Sequence, residues 1–156
     1  MDVEEFLRIA ATRESYESLG RSLSTSEVRQ FESELDVSLT DGYRQFVQKA
    51  GWVSWFGVAV FGFSPHPRFN AAHRTASMGQ FLADAGMASS FPERGNVVAE
   101  IFGGGFCFLH SGDSPRAGQV SAHAPDELYR EVHYWSSFED YATYLVDRVA
   151  NWHDLG

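Results

Sequence analysis

The sequence predicts an α+β fold, a mainly antiparallel sheet flanked by N-terminal helices and closed by a C-terminal helix. Apolar residues recur at helical spacing near both ends of the chain. Between them lie runs rich in aromatic and β-branched residues. Those runs are mostly joined by links too short for a crossover helix, which favours antiparallel pairing and segregated helices. The 156 residues carry no internal repeat and no long linker, so 1–156 reads as a single domain.

Residues 2–10 predict a first helix with Phe6, Leu7 and Ala10 on its apolar side, and Gly20 interrupts the chain beyond it. A second helix starts near Ser24, where Ser24 and Glu27 have the spacing of a capping box. Val28, Phe31 and Leu35 then share one face. Thr40 can cap a third helix through Ala50, with Tyr43, Phe46, Val47 and Ala50 along one stripe and Gly51 as a left-handed stop.

From Trp55 to Phe63 the run WFGVAVFGF is apolar on both faces and reads as one central strand, ended by Pro65 and Pro67. Residues 70–85 predict a fourth helix with Ala72, Ala76, Gly79 and Leu82 on a stripe of mostly small residues and Gly86 as its stop. Val97–Phe102 and Phe106–His110 read as a hairpin joined by Gly103-Gly104-Gly105. A polar loop over Ser111–Gly118 precedes two further strands, Gln119–His123 and Leu128–Tyr134. In the latter, Leu128, Arg130, Val132 and Tyr134 share one face, and Tyr129, Glu131 and His133 the other. The last helix is predicted from a Ser136–Glu139 capping box and the stripe Phe138, Tyr141, Ala142, Leu145, Val149 and Trp152.

Composition narrows the classes of function. Twelve basic against 21 acidic residues give a net charge of -9, and the only lysine is Lys49. With no basic cluster, phosphate backbones are repelled and nucleic-acid binding is not expected. Opposite fields favour a basic protein partner, although acidity also serves solubility alone. Cys107 is the only cysteine, so no intramolecular disulfide forms. The acidic start MDVEEFLRIA lacks the apolar run of a signal peptide or membrane span, and a cytoplasmic protein is expected.

Three segments together resemble the SUKH superfamily. VRQFESELDVSLTDGYRQFVQKAGW is similar to its N-terminal signature of two amphipathic helices, with Phe31, Leu35, Val37, Leu39, Tyr43, Phe46 and Gly51 at matching positions. AEIFGGGFCFLHS resembles its strand, glycine turn and aromatic strand, and SSFEDYATYLVD its closing helix. The likeness runs over about residues 24–150. Thr40-Asp41 stands where Pro-acidic is usual, and Trp52, Trp55 and Phe56 stand where polar residues are common. The resemblance implies a mixed α/β domain that acts by protein contact. Many bacterial members are immunity proteins that neutralise a toxin, often a nuclease, and a fungal relative regulates cell-wall synthesis. It implies no catalytic residue set.

Other chemistry has little support in the residues. No histidine pair has helical i, i+4 spacing, but His110, His123 and His133 fall in three strand candidates and could meet across a sheet. Strand-edge or partly buried histidines are the plainer reading. Cys107, between Phe106 and Phe108, reads as a buried structural thiol. The triple glycine lacks dinucleotide-loop spacing and a following helix.

No catalytic, cofactor or metal site is therefore expected. The remaining candidate is an interface of aromatic anchors with nearby acids: Trp52, Trp55, Trp135, Asp113, Asp126, Glu127 and Glu131. The same tryptophans would equally serve a core. The expected partner is a basic toxin domain, the protein itself being a monomer or weak homodimer. The alternatives are a regulatory or scaffold module of the same fold and a small metal-dependent hydrolase using the histidines.

Overall fold

The computed structural model describes residues 1–101 and 104–152, with side chains through Asp147. The α+β class is correct, and the strands divide between two antiparallel sheets. Phe102, Gly103 and His153, and the side chains of Val149 and Trp152, lie outside the described residues.

Helix α1 (Val3–Ala10) starts at Asp2, whose carboxylate accepts from the Glu5 N–H. Helix α2 (Thr25–Leu35) carries the expected capping box: Ser24 Oγ accepts from the Glu27 N–H, and the Glu27 carboxylate accepts from the Ser24 N–H, both at 3.1 Å. Helix α3 (Asp41–Ala50) ends at Gly51 as expected, but the Thr40 side chain makes no cap hydrogen bond.

The expected single strand over Trp55–Phe63 is instead broken by a hairpin turn, with Trp55 ending one strand and Val58 starting the next. A short strand β1 (Glu17–Ser18), which the sequence did not suggest, pairs with β2 (Val53–Trp55), and β2 pairs with β3 (Val58–Val60). Trp55 lies opposite Val58, so Phe56 and Gly57 form a two-residue turn, and Gly57 takes the left-handed φ of 75° that such a turn needs.

Helix α4 (Ala71–Asp84) is capped by Asn70, whose side chain accepts from the His73 N–H. Its inward stripe keeps Leu82 as expected but is otherwise shifted by one residue. Ala71 and Leu82 are buried, with Thr75 and Met78 half-buried on the same line, while Ala76 is exposed.

The second sheet runs in the order β4 (Gly95–Ile101), β5 (Gly105–His110), β6 (Val120–His123) and β7 (Glu131–Trp135). Helix α5 (Phe138–Trp152) comes next, and its cap is Ser137, whose Oγ accepts from the Asp140 N–H at 3.1 Å. The expected Ser136–Glu139 box is thus displaced by one residue.

One face of this sheet carries Cys107, with Tyr141 of α5 beside it. Burial pushes the Cys107 thiol up to about 12, in keeping with a structural thiol. Beside α5, Phe6, Tyr43, Phe46 and Phe138 form an aromatic cluster with ring centroids 5.3–6.3 Å apart. Tyr43 joins the two sheets: its hydroxyl donates to the Phe61 carbonyl at 2.7 Å and accepts from Asn96 Nδ2 at 3.4 Å. This cluster is part of one continuous buried core whose removal from water stabilises the fold. The opposite face carries Phe106 and Phe108, both packed on Phe91. No helix among the described residues is long and apolar enough to cross a membrane.

Candidate docking surface

The link from β6 into β7 shapes the site. A single 3-10 turn (Pro125–Glu127) is followed by Leu128 and Tyr129, both left-handed at φ 56° and 61°. Neither is glycine, so each residue carries conformational strain of about 1–2 kcal/mol. The strain has a consequence: Leu128 is presented 60% exposed, while Tyr129 turns inward and is buried. The Tyr129 ring meets Phe81 of α4 edge-on at 6.0 Å, and Ser90 Oγ donates to the Leu128 carbonyl at 3.1 Å.

Strand β7 lies at the edge of the sheet, with β6 as its only partner strand among the described residues. A register shift sets Glu131 opposite His123 and His133 opposite Ala122. Glu131 and His133 therefore do not share a face, contrary to the simple alternation expected from sequence. Val132 is 50% and Tyr134 52% exposed. Arg116, from the loop before β6, pairs with Glu131 at 2.6 Å, and its guanidinium lies over the Tyr134 ring at 5.8 Å.

Beneath this layer runs a buried polar chain. His123 Nδ1 lies 2.9 Å from the Tyr129 carbonyl, which can only accept, so Nδ1 carries the proton. With the ring neutral, His123 Nε2 accepts from the Ser121 hydroxyl, which in turn accepts from His110 Nε2–H, both at 2.9 Å. The His123 ring stacks on Phe106 at 4.7 Å, nearly parallel at 6°. Burial, and then the charge of Arg116, hold His110 down to about 4, while Glu131 pulls the other way. Burial likewise lowers His123, against the Tyr129 hydrogen bond and Glu131.

This chain has the outline of a nucleophile–base pair, but Ser121 is 0% exposed, so no acyl group reaches its Oγ in this conformation. Of the three histidines that could have met across the sheet, His110 and His123 are buried and linked through Ser121, while His133 packs against Trp135 on the other face. Among the described residues no three His, Cys, Asp or Glu side chains are placed to hold a metal ion.

The seven residues expected at an interface separate into three groups. Trp52 and Trp55 belong to the core: Trp52 stacks flat on Phe69 at 3.9 Å, and Trp55 packs on Phe6 at 6.0 Å. Their distant partners, which local sequence does not announce, draw them in. Asp113 stands at the far end of the sheet, held by the Ser111 hydroxyl and by Arg94, and both lower its carboxyl below the usual range. Asp126 and Glu127 lie in the turn that leads into β7, and Glu131 and Trp135 stand at its two ends on opposite faces. The three acids are exposed and Trp135 is half-buried against Tyr141 and Tyr144. Sequence reasoning omitted Phe81, Leu128, Val132 and Tyr134 from the site. For Phe81 a signal existed, since it stands off the inward stripe of its helix. Compared with known protein families and with curated proteins, the chain matches no family model and no curated protein.

Proposed function

We propose that this chain is an immunity-type protein that binds and neutralises a cognate bacterial toxin in the cytoplasm by covering the toxin's basic substrate-binding surface, a nuclease being the toxin class best suited to an acidic inhibitor. One observation carries the reading. Three of the six large apolar side chains exposed among the described residues (Leu128, Val132 and Tyr134) lie on β7 or in the turn leading into it, the same segment that carries Asp126, Glu127 and Glu131. Apolar anchors with a charged rim are the anatomy of a protein interface. The net charge of -9 favours a positively charged partner such as a phosphate-binding groove. The resemblance to the SUKH superfamily supports the same reading, as does the inaccessibility of Ser121 to substrate.

The test is co-expression with the toxin encoded beside this gene. Growth should be restored by the native chain and lost with the double substitution Leu128→Ala and Tyr134→Ala, and affinity should fall with rising salt. A neighbouring locus without a toxin, or rescue indifferent to both substitutions, would defeat the reading.

A further inference from the structure

We propose that β7 accepts an extended, positively charged segment of the partner protein as a fifth strand of the sheet; this rests on the docking reading above and names its mode. An edge strand leaves alternate N–H and C=O groups unpaired, and such edges are normally shielded by Lys, Pro, a bulge or extreme shortness. Glu131–Trp135 contains neither Lys nor Pro, and Glu131, Val132, His133 and Tyr134 are all exposed. Its shielding is confined to the bulge near Glu131, which leaves His133, Tyr134 and Trp135 in regular register with β6. Five residues is an ordinary strand length, sufficient for added-strand recognition.

Charge selects the occupant. Residues 125–140 hold five carboxylates (Asp126, Glu127, Glu131, Glu139 and Asp140) against Arg130 alone. Arg116 from outside the segment is already engaged by Glu131. Asp126, Glu127 and Glu131 stand before and at the start of the strand and Asp140 just beyond it, while the Glu139 carboxylate is turned toward Gly42 of α3. A second copy paired antiparallel through β7 would still bring like charges together. A segment alternating apolar residues with Lys or Arg would instead lay its apolar side chains beside Val132 and Tyr134. Glu131 shares the Tyr134 face and is held by Arg116, so the long cationic side chains, rising from the other face, would reach past the strand ends to Asp126, Glu127 and Asp140.

The experiment uses the full chain and two peptides of about eight residues, one alternating valine with lysine and the other valine with glutamate. Amide exchange followed by NMR should slow at residues 131–135 with the lysine peptide, leave β4 unchanged, and show no slowing with the glutamate peptide. Affinity for the lysine peptide should drop about tenfold or more between about 50 and about 300 mM salt. Val132→Pro, which removes a backbone donor, should lower it about tenfold, with circular dichroism checking the fold. Val132→Lys, which keeps the backbone but adds a repelling charge, should do the same.

Absence of slowing at 131–135, equal binding of the glutamate peptide, or self-association through β7 in sedimentation would overturn the proposal. Should the cognate toxin lose affinity on Leu128→Ala while β7 amides gain no protection in that complex, the docking surface stands and the added strand fails.

Discussion

Strands β4 and β7 bound the same sheet, each interrupted by a register shift, and the two edges are finished in opposite ways. On β4 the irregularity between Val97 and Ala99 frees two backbone groups, and both are used. The Val97 N–H donates to Thr75 Oγ1 of α4 at 2.9 Å, and the Val98 carbonyl accepts from the Phe61 N–H at 2.7 Å. Val97, Val98 and Ala99 are buried as a result. On β7 the shift reorients Glu131, and the strand keeps an exposed apolar side. The same backbone device thus closes one edge and shapes the other. Among the described residues β4 is covered by a helix and a second sheet, whereas β7 is met by Arg116 and, at Trp135, by α5, and pairs with no second strand.

Breaking the closed edge should have the largest effect. Leu82 is fully buried on α4, the helix that covers β4. Leu82→Ala should lower unfolding stability by about 2–5 kcal/mol in urea titrations, through lost burial and the cavity left behind. Val132→Ala on the open edge should stay within about 0.5 kcal/mol. Equal losses at the two positions would erase the distinction between the edges.

A second effect belongs to the polar chain under β7. His110 and His123 fold with pKa values below the ordinary histidine value, His110 at about 4. Unfolded histidine titrates near 6.5, so below that pH the unfolded chain binds more protons than the folded one. The stabilisation from the two neutral rings is fully present above about pH 6.5 and is lost as pH falls toward 4, at up to about 1.4 kcal/mol per pH unit for each ring. The groups facing the chain are Arg116, which opposes protonation, and Glu131, which favours it. Denaturation midpoints should fall between pH 7 and pH 4.5, and His110→Gln should remove its share of the slope. Identical slopes for the two proteins would show that His110 does not fold neutral.

How much of the fold and of the docking surface is legible in the sequence depends on how local each cause is. The Ser24–Glu27 box is complete within four residues and is readable outright. The α5 cap differs by one residue from the expected one because Ser136-Ser137 and Glu139-Asp140 offer two equivalent pairings, and only packing of Phe138 chooses between them. The α4 stripe slips for the same reason, since Ala71-Ala72 and Thr75-Ala76 differ little in size. Gly57 is the signal for the hairpin, but an apolar Phe-Gly pair lacks the polar marks of a turn.

Trp52 and Trp55 read as anchors because an aromatic residue carries no sign of its own burial. Phe69 and Phe6 decide it from a distance in sequence. The pairing of His110 with His123 is implied by the strand assignments, whereas Ser121 between them is not. Left-handed Leu128 and Tyr129 give no warning, because neither is a residue type that favours that conformation.

That unannounced pair gives a small stability effect and the sharpest test of the open edge. Leu128 is 60% exposed and left-handed, so its side chain contributes little burial to the fold while its backbone carries strain. Leu128→Gly removes strain of about 1–2 kcal/mol and adds about 0.5–1 kcal/mol of unfolded-chain entropy cost. Stability should therefore be unchanged or rise by up to about 1.5 kcal/mol in urea titrations. Partner binding should weaken, since the exposed anchor is gone. A residue whose deletion helps the monomer and harms the complex is held in place for the complex. Loss of stability without loss of binding would instead assign Leu128 to the fold and return the β7 edge to ordinary surface.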